Sequence, residues 1–188
     1  IILLMMKWTK NLCSVQLLKM RFGLVVRKSM GKSYWIICIG IGGNTEESLR
    51  ALTGAPVKTF YHSDVEPDKF LNLLDKFDEM NYVMCTIVGN KHSGKTGLEK
   101  LHSYSLISVI HTQIATSKNM KPWGLGEWTG KWSDKDKESW TEELKKQLNF
   151  EDKEDGIFYI SIDDYLKEYY STTVCFYDES KIYEYVSH

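Results

Sequence analysis

The sequence is poor in the features that mark several specialised classes of protein. It has only four cysteines in 188 residues (Cys13, Cys38, Cys85 and Cys175), and they neither form a CxxC pair nor cluster with histidine. Such spacing argues against a zinc site and against a disulfide framework. We therefore expect reduced thiols and a cytoplasmic location. A net charge of −1 provides no basic field, so nucleic acid and anionic membranes are not expected as partners.

Long apolar runs are also missing. The first six residues are apolar, but Lys7 ends this run far short of the roughly 20 residues that a membrane-spanning helix needs. No basic region precedes the run, so it does not predict a secretory signal peptide. With 43% hydrophobic and 26% charged residues, the composition is typical of an ordinary globular domain. We expect one domain and no membrane span.

Periodicity predicts several strands and a few short helices. Helices are expected at Glu46–Leu52 ended by Gly54, in an amphipathic segment capped by Asp68, at Ser139–Leu148, and from Asp163 onward. Strands are expected at Ala55–Tyr61, Tyr82–Val88, Tyr104–Ile110, Gly156–Ile162 and Thr172–Tyr177. Short loops join these strands and βαβ spacing is absent, so the sequence predicts an α+β fold with a mostly antiparallel sheet.

One motif indicates a different function. Residues 89–96 read Gly-Asn-Lys-His-Ser-Gly-Lys-Thr, which satisfies the P-loop pattern, and an apolar strand precedes them. In a P-loop, backbone amides surround the nucleotide phosphates, Lys95 would neutralise them and Thr96 would bind magnesium. The residues after Thr96 alternate like a strand, so a polar loop between two strands is the competing interpretation. Nucleotide binding stays open as an alternative.

Two blocks of sequence stand out from the rest. Residues 97–105 read Gly-Leu-Glu-Lys-Leu-His-Ser-Tyr-Ser, which places His102 at the head of a predicted strand. Residues 122–134 read Pro-Trp-Gly-Leu-Gly-Glu-Trp-Thr-Gly-Lys-Trp-Ser-Asp and contain three of the six tryptophans. This density of tryptophan, glycine and acid is not typical of a plain surface loop.

These blocks resemble the calpain family of calcium-dependent, papain-like cysteine proteases. The first is similar to the family motif Gly-Leu-Val-x-Gly-His-Ala-Tyr-Ser, and the second to Asn-Pro-Trp-Gly-x-x-Glu-Trp-x-Gly-x-Trp-Ser-Asp. Residues 42–54 and 154–158 carry further matches in the family's order. The resemblance implies that residues 28–178 form the β-rich, histidine-bearing half of the catalytic core. Residues 1–27 are then an unmatched segment and residues 179–188 a C-terminal tail.

The resemblance implies a catalytic histidine at His102 and a changed residue beside it. The family's asparagine, which accepts a hydrogen bond from the imidazole, is replaced by Lys121, and an ammonium group has no acceptor. Asn119 lies on the same face but about 7 Å further along the strand. Leu101 stands where the family has glycine. The family's nucleophile motif, Gly-Asp-Cys-Trp, does not occur in the sequence.

The resemblance also implies a calcium site. Its ligands would be the carboxylates of Glu127, Asp134 and Asp155 and a backbone carbonyl at Lys153, which are the oxygen donors that calcium prefers. A solvated acidic loop is the alternative. We expect Trp128 and Trp132 to pack this loop and Trp123 to combine packing with a place at the cleft. The other four histidines, at positions 62, 92, 111 and 188, are predicted to be surface residues.

Three hypotheses for function follow. The first is a calpain-like, calcium-dependent cysteine-type endopeptidase, represented here by its histidine-bearing half and acting on protein substrates. This half would be inactive alone and would need a helical half that carries the nucleophile. The second is a catalytically inactive module that binds calcium or a protein partner. The third is the P-loop nucleotide-binding protein.

Overall fold

The computed structural model describes residues 44–90, 96–111, 115–121, 127–153, 155–178, 180–181 and 183. The helices of this part are α1 (Thr45–Thr53), α2 (Pro67–Glu79), α3 (Glu142–Gln147) and α4 (Ile162–Glu168), with a 3₁₀ turn at His62–Asp64. Its strands are β1 (Val57–Tyr61), β2 (Val83–Val88), β3 (Ser103–His111), β4 (Ala115–Met120), β5 (Ile157–Ser161) and β6 (Tyr169–Cys175). The predicted α+β class is confirmed.

Local capping chemistry sets the ends of the helices. The side-chain oxygen of Asn44 accepts a hydrogen bond from the Glu46 amide at 2.9 Å, and Gly54 ends α1 in the left-handed conformation with φ 68°. The cap predicted at Asp68 is wrong, because Glu66 is the N-cap and α2 begins at Pro67, a residue suited to the first helical position. Helix α3 is shorter than predicted because the Thr141 side chain caps it.

All strand pairs of the sheet are antiparallel, in the order β1-β6-β2-β3-β4-β5. Strand β6, the last of the described strands, therefore lies between β1 and β2. Alternation along the strands puts Tyr104 and Leu106 on one face and Ser105 on the other. This assignment of faces decides which side chains can meet at the candidate site.

Helices and aromatic residues cover the sheet from both sides. The main core packs α2 and α4 against one face, with buried residues that include Phe70, Leu74, Tyr104, Leu106, Phe158 and Tyr165. The other face has two smaller clusters. Leu49 of α1 packs there with Val57, Cys85 and Cys175, while Trp132 and Trp140 pack on Tyr159 at the β5 end. Burial of each large apolar side chain stabilises the fold by about 1.5–3 kcal/mol.

Strand β4 is an interior strand made largely of polar residues. Thr116, Ser117 and Asn119 are all buried. The Asn119 amide nitrogen donates to the Ser117 hydroxyl at 2.9 Å, and both strand edges are hydrogen-bonded, to β3 and to β5. The residues of this strand show no apolar pattern, because backbone pairing rather than side-chain hydrophobicity holds the strand in the sheet.

His62 is a correction to the sequence analysis. The prediction that it is a surface residue is wrong, because it is partly buried and its ring contacts Phe70 and Tyr165. Nδ1 lies 2.9 Å from the Tyr169 carbonyl oxygen and Nε2 lies 2.8 Å from the Thr172 hydroxyl. These contacts join the 3₁₀ turn to β6. Positions 92 and 188, and the side chain of His111, lie outside the described residues.

Candidate active site

His102 lies immediately before β3, at the edge of the main core. The backbone ladder between β2 and β3 continues to it, since the Val88 amide donates to the His102 carbonyl at 3.2 Å. The side chain is only 7% exposed, and its ring meets Tyr104 in an edge-to-face contact with 5.0 Å between centroids. A buried imidazole at the end of a sheet can act as a base only toward a group that reaches the same face.

Leu101 holds the turn that leads into this histidine. Its φ of 53° lies in the left-handed region, which favours glycine, and its side chain is 71% exposed. The Leu101 amide donates to the Val88 carbonyl at 3.0 Å, so the turn is held by the same ladder. The backbone conformation accounts for glycine in the motif at this position, and here leucine adopts it at some cost in strain.

The two described cysteines do not share a face with His102. Cys85 is paired with Ser105, and Cys175 is paired with Val83, in the antiparallel registers. Ser105 points away from the face that carries Tyr104, so both thiols lie on the opposite side of the sheet. Both are completely buried among the α1 cluster. Neither can serve as the nucleophile for His102, and Cys13 and Cys38 lie outside the described residues.

Lys121, at the position of the family's asparagine, forms an ion pair with Glu99 in which only the lysine is buried. The residue is 2% exposed, and its Nζ lies 2.7 Å from Oε1 of Glu99. Its backbone amide donates to the Gly156 carbonyl at 2.7 Å, which continues the pairing of β4 with β5. The Glu99 amide in turn donates to the Tyr104 hydroxyl at 2.8 Å. Burial raises the pKa of Tyr104 to about 12, so this hydroxyl stays protonated.

Asn119 cannot take over the asparagine's role. The register places it opposite Leu106, while Met120 is opposite Ser105. Leu106 is four residues beyond His102, which is about 13 Å along an extended strand. The amide of Asn119 is therefore remote from the imidazole, as the spacing in the sequence indicates.

The tryptophan-rich loop lies directly against the segment that leads to His102. The Thr129 amide donates to the Thr96 carbonyl at 3.0 Å. Gly97, with φ 79°, approaches so closely that a Cβ atom there would lie 1.9 Å from the Glu127 carbonyl oxygen. A side chain at position 97 is thus excluded both by backbone conformation and by space. The acidic loop and the histidine segment are held in contact at this glycine.

The acidic residues predicted as calcium ligands lie in one region. Glu127 accepts a hydrogen bond from the Gly156 amide at 2.7 Å, and Asp155 accepts one from the Ile157 amide at 2.9 Å. The Lys153 carbonyl accepts from the Asp155 amide at 2.9 Å. Hydrogen bonds thus connect the loop of Glu127 to the segment that enters β5.

The pKa of Asp134 is affected by the neighbouring acidic residues. Its pKa is raised to about 7, first by burial and then by the negative charge of Glu127, with smaller contributions from Asp152 and Asp155. A hydrogen bond from the Lys153 backbone opposes this shift. Oδ2 of Asp134 is buried and receives no hydrogen bond from the described residues.

A hard cation would suit such a donor set, because it would neutralise the mutual repulsion and bind the buried oxygen. The described carboxylates are not packed as a finished ligand shell, however. Among the described residues, no group of three or more histidine, cysteine, aspartate or glutamate side chains is placed to hold a metal ion. They lie within electrostatic range of one another, and the roles predicted for Glu127, Asp134, Lys153 and Asp155 stay predictions.

Comparison with known proteins agrees with this fold. Residues 21–176 match the sequence profile described as calpain family cysteine protease. The chain belongs to the calpain family. It is 32% identical to calpain-7 of Homo sapiens over 143 residues, which cover 69% of this chain and 18% of the relative. It is 30% identical to calpain-A of Drosophila melanogaster over 152 residues, which cover 71% of this chain and 18% of the relative. The chain thus spans less than a fifth of the length of these relatives.

Tryptophan side chains pack the acidic loop of this calpain domain. Trp128 and Trp132 are buried, which confirms their predicted packing role. Trp132 meets Trp140 edge to face at 5.2 Å, and Trp140 stacks on Phe150 at 4.2 Å. The indole nitrogens of Trp128 and Trp140 donate to the carbonyls of Lys131 and Ser133. Trp123 lies outside the described residues.

Sequence reasoning missed Glu99 as a site residue. It stands where the family motif has valine, three residues before His102, and it is a carboxylate in a chain that also places lysine at the asparagine position. An acidic residue in one motif and a basic residue in the next, both at positions where the family has an uncharged residue, are the signal that could have predicted the ion pair of Glu99 and Lys121. Trp140 and Phe150 were also missed, because nothing in their local pattern distinguishes packing on the loop from ordinary core.

The P-loop alternative does not fit the calpain fold. Strand β2 pairs antiparallel with β3, which is the next described strand, whereas a P-loop joins a strand to a helix within a parallel sheet. Residues 91–95, the centre of the motif, lie outside the described residues. None of the described helices combines the length and the apolar character needed to cross a bilayer.

Proposed function

We propose that this chain is the histidine-bearing half of a calcium-dependent cysteine endopeptidase core. The observation that carries the proposal is the position of His102, buried at the head of β3 inside the range that matches the family. In this role Nδ1 or Nε2 takes the proton of a cysteine thiol, and the imidazolium returns it to the leaving amine of the cleaved peptide bond. Protein chains are therefore the proposed substrates.

The nucleophile must come from outside the described residues. A thiolate that attacks a peptide carbonyl has to approach His102 on the face that carries Tyr104, and Cys85 and Cys175 are on the other face. We infer that a helical half with the Gly-Asp-Cys-Trp motif packs against this side and supplies the thiol, either on the same polypeptide or on another. The helix dipole at the start of such a segment lowers the pKa of the cysteine.

Calcium is the proposed cofactor of the acidic loop. The carboxylates of Glu127, Asp134 and Asp155 and the carbonyl of Lys153 would hold it, because they offer hard, anionic oxygens next to one buried carboxylate oxygen. Calcium would supply positive charge that offsets the repulsion between these groups. Since Gly97 joins this loop to the histidine segment, bound calcium would also tighten the surroundings of His102.

Buried thiols support a reducing compartment. Cys85 and Cys175 are both thiols, and both lie inside the packed sheet. Extracellular domains commonly use such cysteines for disulfides. We infer a cytoplasmic location on this ground.

A second candidate function is a calpain-like module without peptidase activity that binds calcium or a protein partner. The observation that favours it is Lys121, which fills the asparagine position with a buried ammonium ion paired to Glu99. An ammonium group cannot accept a hydrogen bond from the imidazole, so the orienting interaction is lost at this position.

The deciding experiment joins the chain to the helical half of a calpain that contains Gly-Asp-Cys-Trp. We expect calcium-dependent cleavage of a fluorogenic peptide by the fusion, none by the 188-residue chain alone, and loss of cleavage on His102→Ala. A fusion whose nucleophilic cysteine is replaced by serine is the matched control. Cleavage that persists in His102→Ala would refute the proposed role of this histidine, and cleavage by the chain alone would show that it contains its own nucleophile.

A further inference from the structure

The two residues that depart in charge from the calpain motifs are in contact. Glu99 stands at the valine of the histidine motif and Lys121 at the asparagine of the tryptophan-rich motif, and their charged atoms are 2.7 Å apart. The Lys121 side chain is 3% exposed while that of Glu99 is 45% exposed. A buried ammonium ion requires an anion beside it, whereas a half-exposed carboxylate can be solvated by water. Lys121 therefore depends on Glu99 more than Glu99 depends on Lys121.

The pair lies on the face of the sheet that carries His102. Tyr104 meets the ring of His102, and its hydroxyl accepts a hydrogen bond from the Glu99 amide. Glu99 is thus held by its backbone to Tyr104 and by its carboxylate to Lys121. Because lysine has only donors, position 121 offers the imidazole no acceptor while this pair is intact.

We propose that Glu99 and Lys121 act as one unit, which occupies the place of the family's ring-orienting amide but supplies no acceptor to the imidazole. Glu99 is the positioning residue, because its carboxylate makes the buried ammonium at position 121 stable. The inference rests on the proposed function, since the orientation of His102 matters for a peptidase core. If the inference is right, the intact ion pair keeps the rate of peptide hydrolysis low even when a nucleophile is supplied. Restoring an acceptor at position 121 should then raise that rate.

Melting temperatures of the full chain test whether the pair acts as a unit. Glu99→Gln should lower the melting temperature by about 5 °C or more, because it removes the carboxylate charge that lies beside the buried ammonium ion. Lys121→Met should stay within about 2 °C of the wild type, since an apolar side chain of similar length replaces the buried ion. The double variant should match Lys121→Met. The control is Glu142→Gln, which breaks the exposed pair of Glu142 with Lys145 and should change the melting temperature by about 2 °C at most.

Kinetics of the fusion with the helical half test the orienting role. Lys121→Asn restores an acceptor and should raise kcat by about 100-fold or more, given that loss of an orienting group costs up to about 10⁴ in a comparable triad. KM should stay unchanged, because position 121 acts through His102. Lys121→Met removes the same charge without adding an acceptor, so it should not raise kcat. A purely structural role for the pair would not distinguish asparagine from methionine in this way.

The outcomes separate the two proposals. The paired role is overturned if Glu99→Gln is no more destabilising than Glu142→Gln, or if Lys121→Met raises kcat as much as Lys121→Asn. If none of the fusions hydrolyses peptide, the proposed function is wrong, and the melting comparison alone supports or overturns the paired role. A wild-type fusion as active as Lys121→Asn supports the proposed function and overturns the inference.

Discussion

Acidification should destabilise this protein through His62. Burial lowers the pKa of His62 from 6.5 to about 4. In the neutral ring, Nδ1–H donates to the Tyr169 carbonyl and Nε2 accepts from the Thr172 hydroxyl, which itself lies 2.6 Å from the Tyr165 hydroxyl. Protonation of Nε2 would convert that acceptor into a donor and place a charge in the core. The neutral ring is therefore the form that the fold stabilises.

The magnitude follows from linkage between protonation and folding. The folded pKa is below the unfolded value, so the unfolded chain binds more protons, and the stability contribution is complete above pH 6.5 and falls as pH decreases toward 4. Between about pH 7.5 and about pH 5, this single histidine should reduce the free energy of unfolding by about 2 kcal/mol. Asp134 has the opposite sign, because its pKa is raised to about 7 and its protonation on acidification stabilises the fold. Wild-type stability alone would therefore mix two opposing effects.

The assay is urea unfolding of the wild type and of His62→Gln at both pH values. Glutamine keeps a polar side chain but does not titrate, and the contribution of Asp134 cancels in the difference between the two proteins. We expect the stability advantage of the wild type to shrink by about 2 kcal/mol at the lower pH. An advantage that is equal at both pH values, or an NMR titration of the His62 ring near pH 6.5, would refute the reasoning.

Three further predictions concern the loop beside the site. Millimolar calcium should raise the melting temperature, since a ligand that binds only the folded state stabilises it, and Asp134→Asn should remove most of this shift; a wild type without any shift contradicts the calcium proposal. Gly97→Ala should lower the free energy of unfolding by about 2 kcal/mol or more, because its Cβ would overlap the Glu127 carbonyl. In the control Gly89→Ala, the nearest atom to the new Cβ is a side-chain carbon of Tyr170 at 3.2 Å. Trp140→Ala should cost about 3–5 kcal/mol in urea unfolding, and a cost below about 1 kcal/mol would show that the aromatic cluster does not hold the loop.

Much of the fold could be predicted because its elements repeat local patterns. Helix α1 has a side-chain cap and a glycine stop, and β2 is an apolar run that only Thr86 interrupts. Strand β4 could not be predicted by the same reasoning, since Ser117 and Asn119 are buried polar residues whose place is set by hydrogen bonds to both neighbouring strands. His62 was misjudged for a similar reason. Its partners are more than a hundred residues away in the chain.

In the candidate site too, features set by local sequence could be predicted, and features set by distant contacts could not. Motif spacing identified His102 and the substitution at Lys121, because both belong to local sequence blocks. The partner of Lys121 could be known only from the register that brings the segment before β3 against the end of β4. The acidic loop could be predicted in part. The motif places Glu127 and Asp134 in one loop, but the raised pKa of Asp134 depends on burial, which the sequence does not show.

The position of β6 has a consequence for how the protein is made. Strands β1 and β2 are synthesised well before β6, yet each pairs with β6, which comes more than a hundred residues after β1. At ribosomal speed this leaves both strands without that partner for on the order of ten seconds. Their unpaired edges are templates for wrong pairing during this interval, which is the kind of exposure that chaperones limit. A messenger RNA with a stop codon before Tyr169 would yield a chain in which β1 and β2 cannot be joined, and quality control should remove it rather than allow a shortened domain to accumulate.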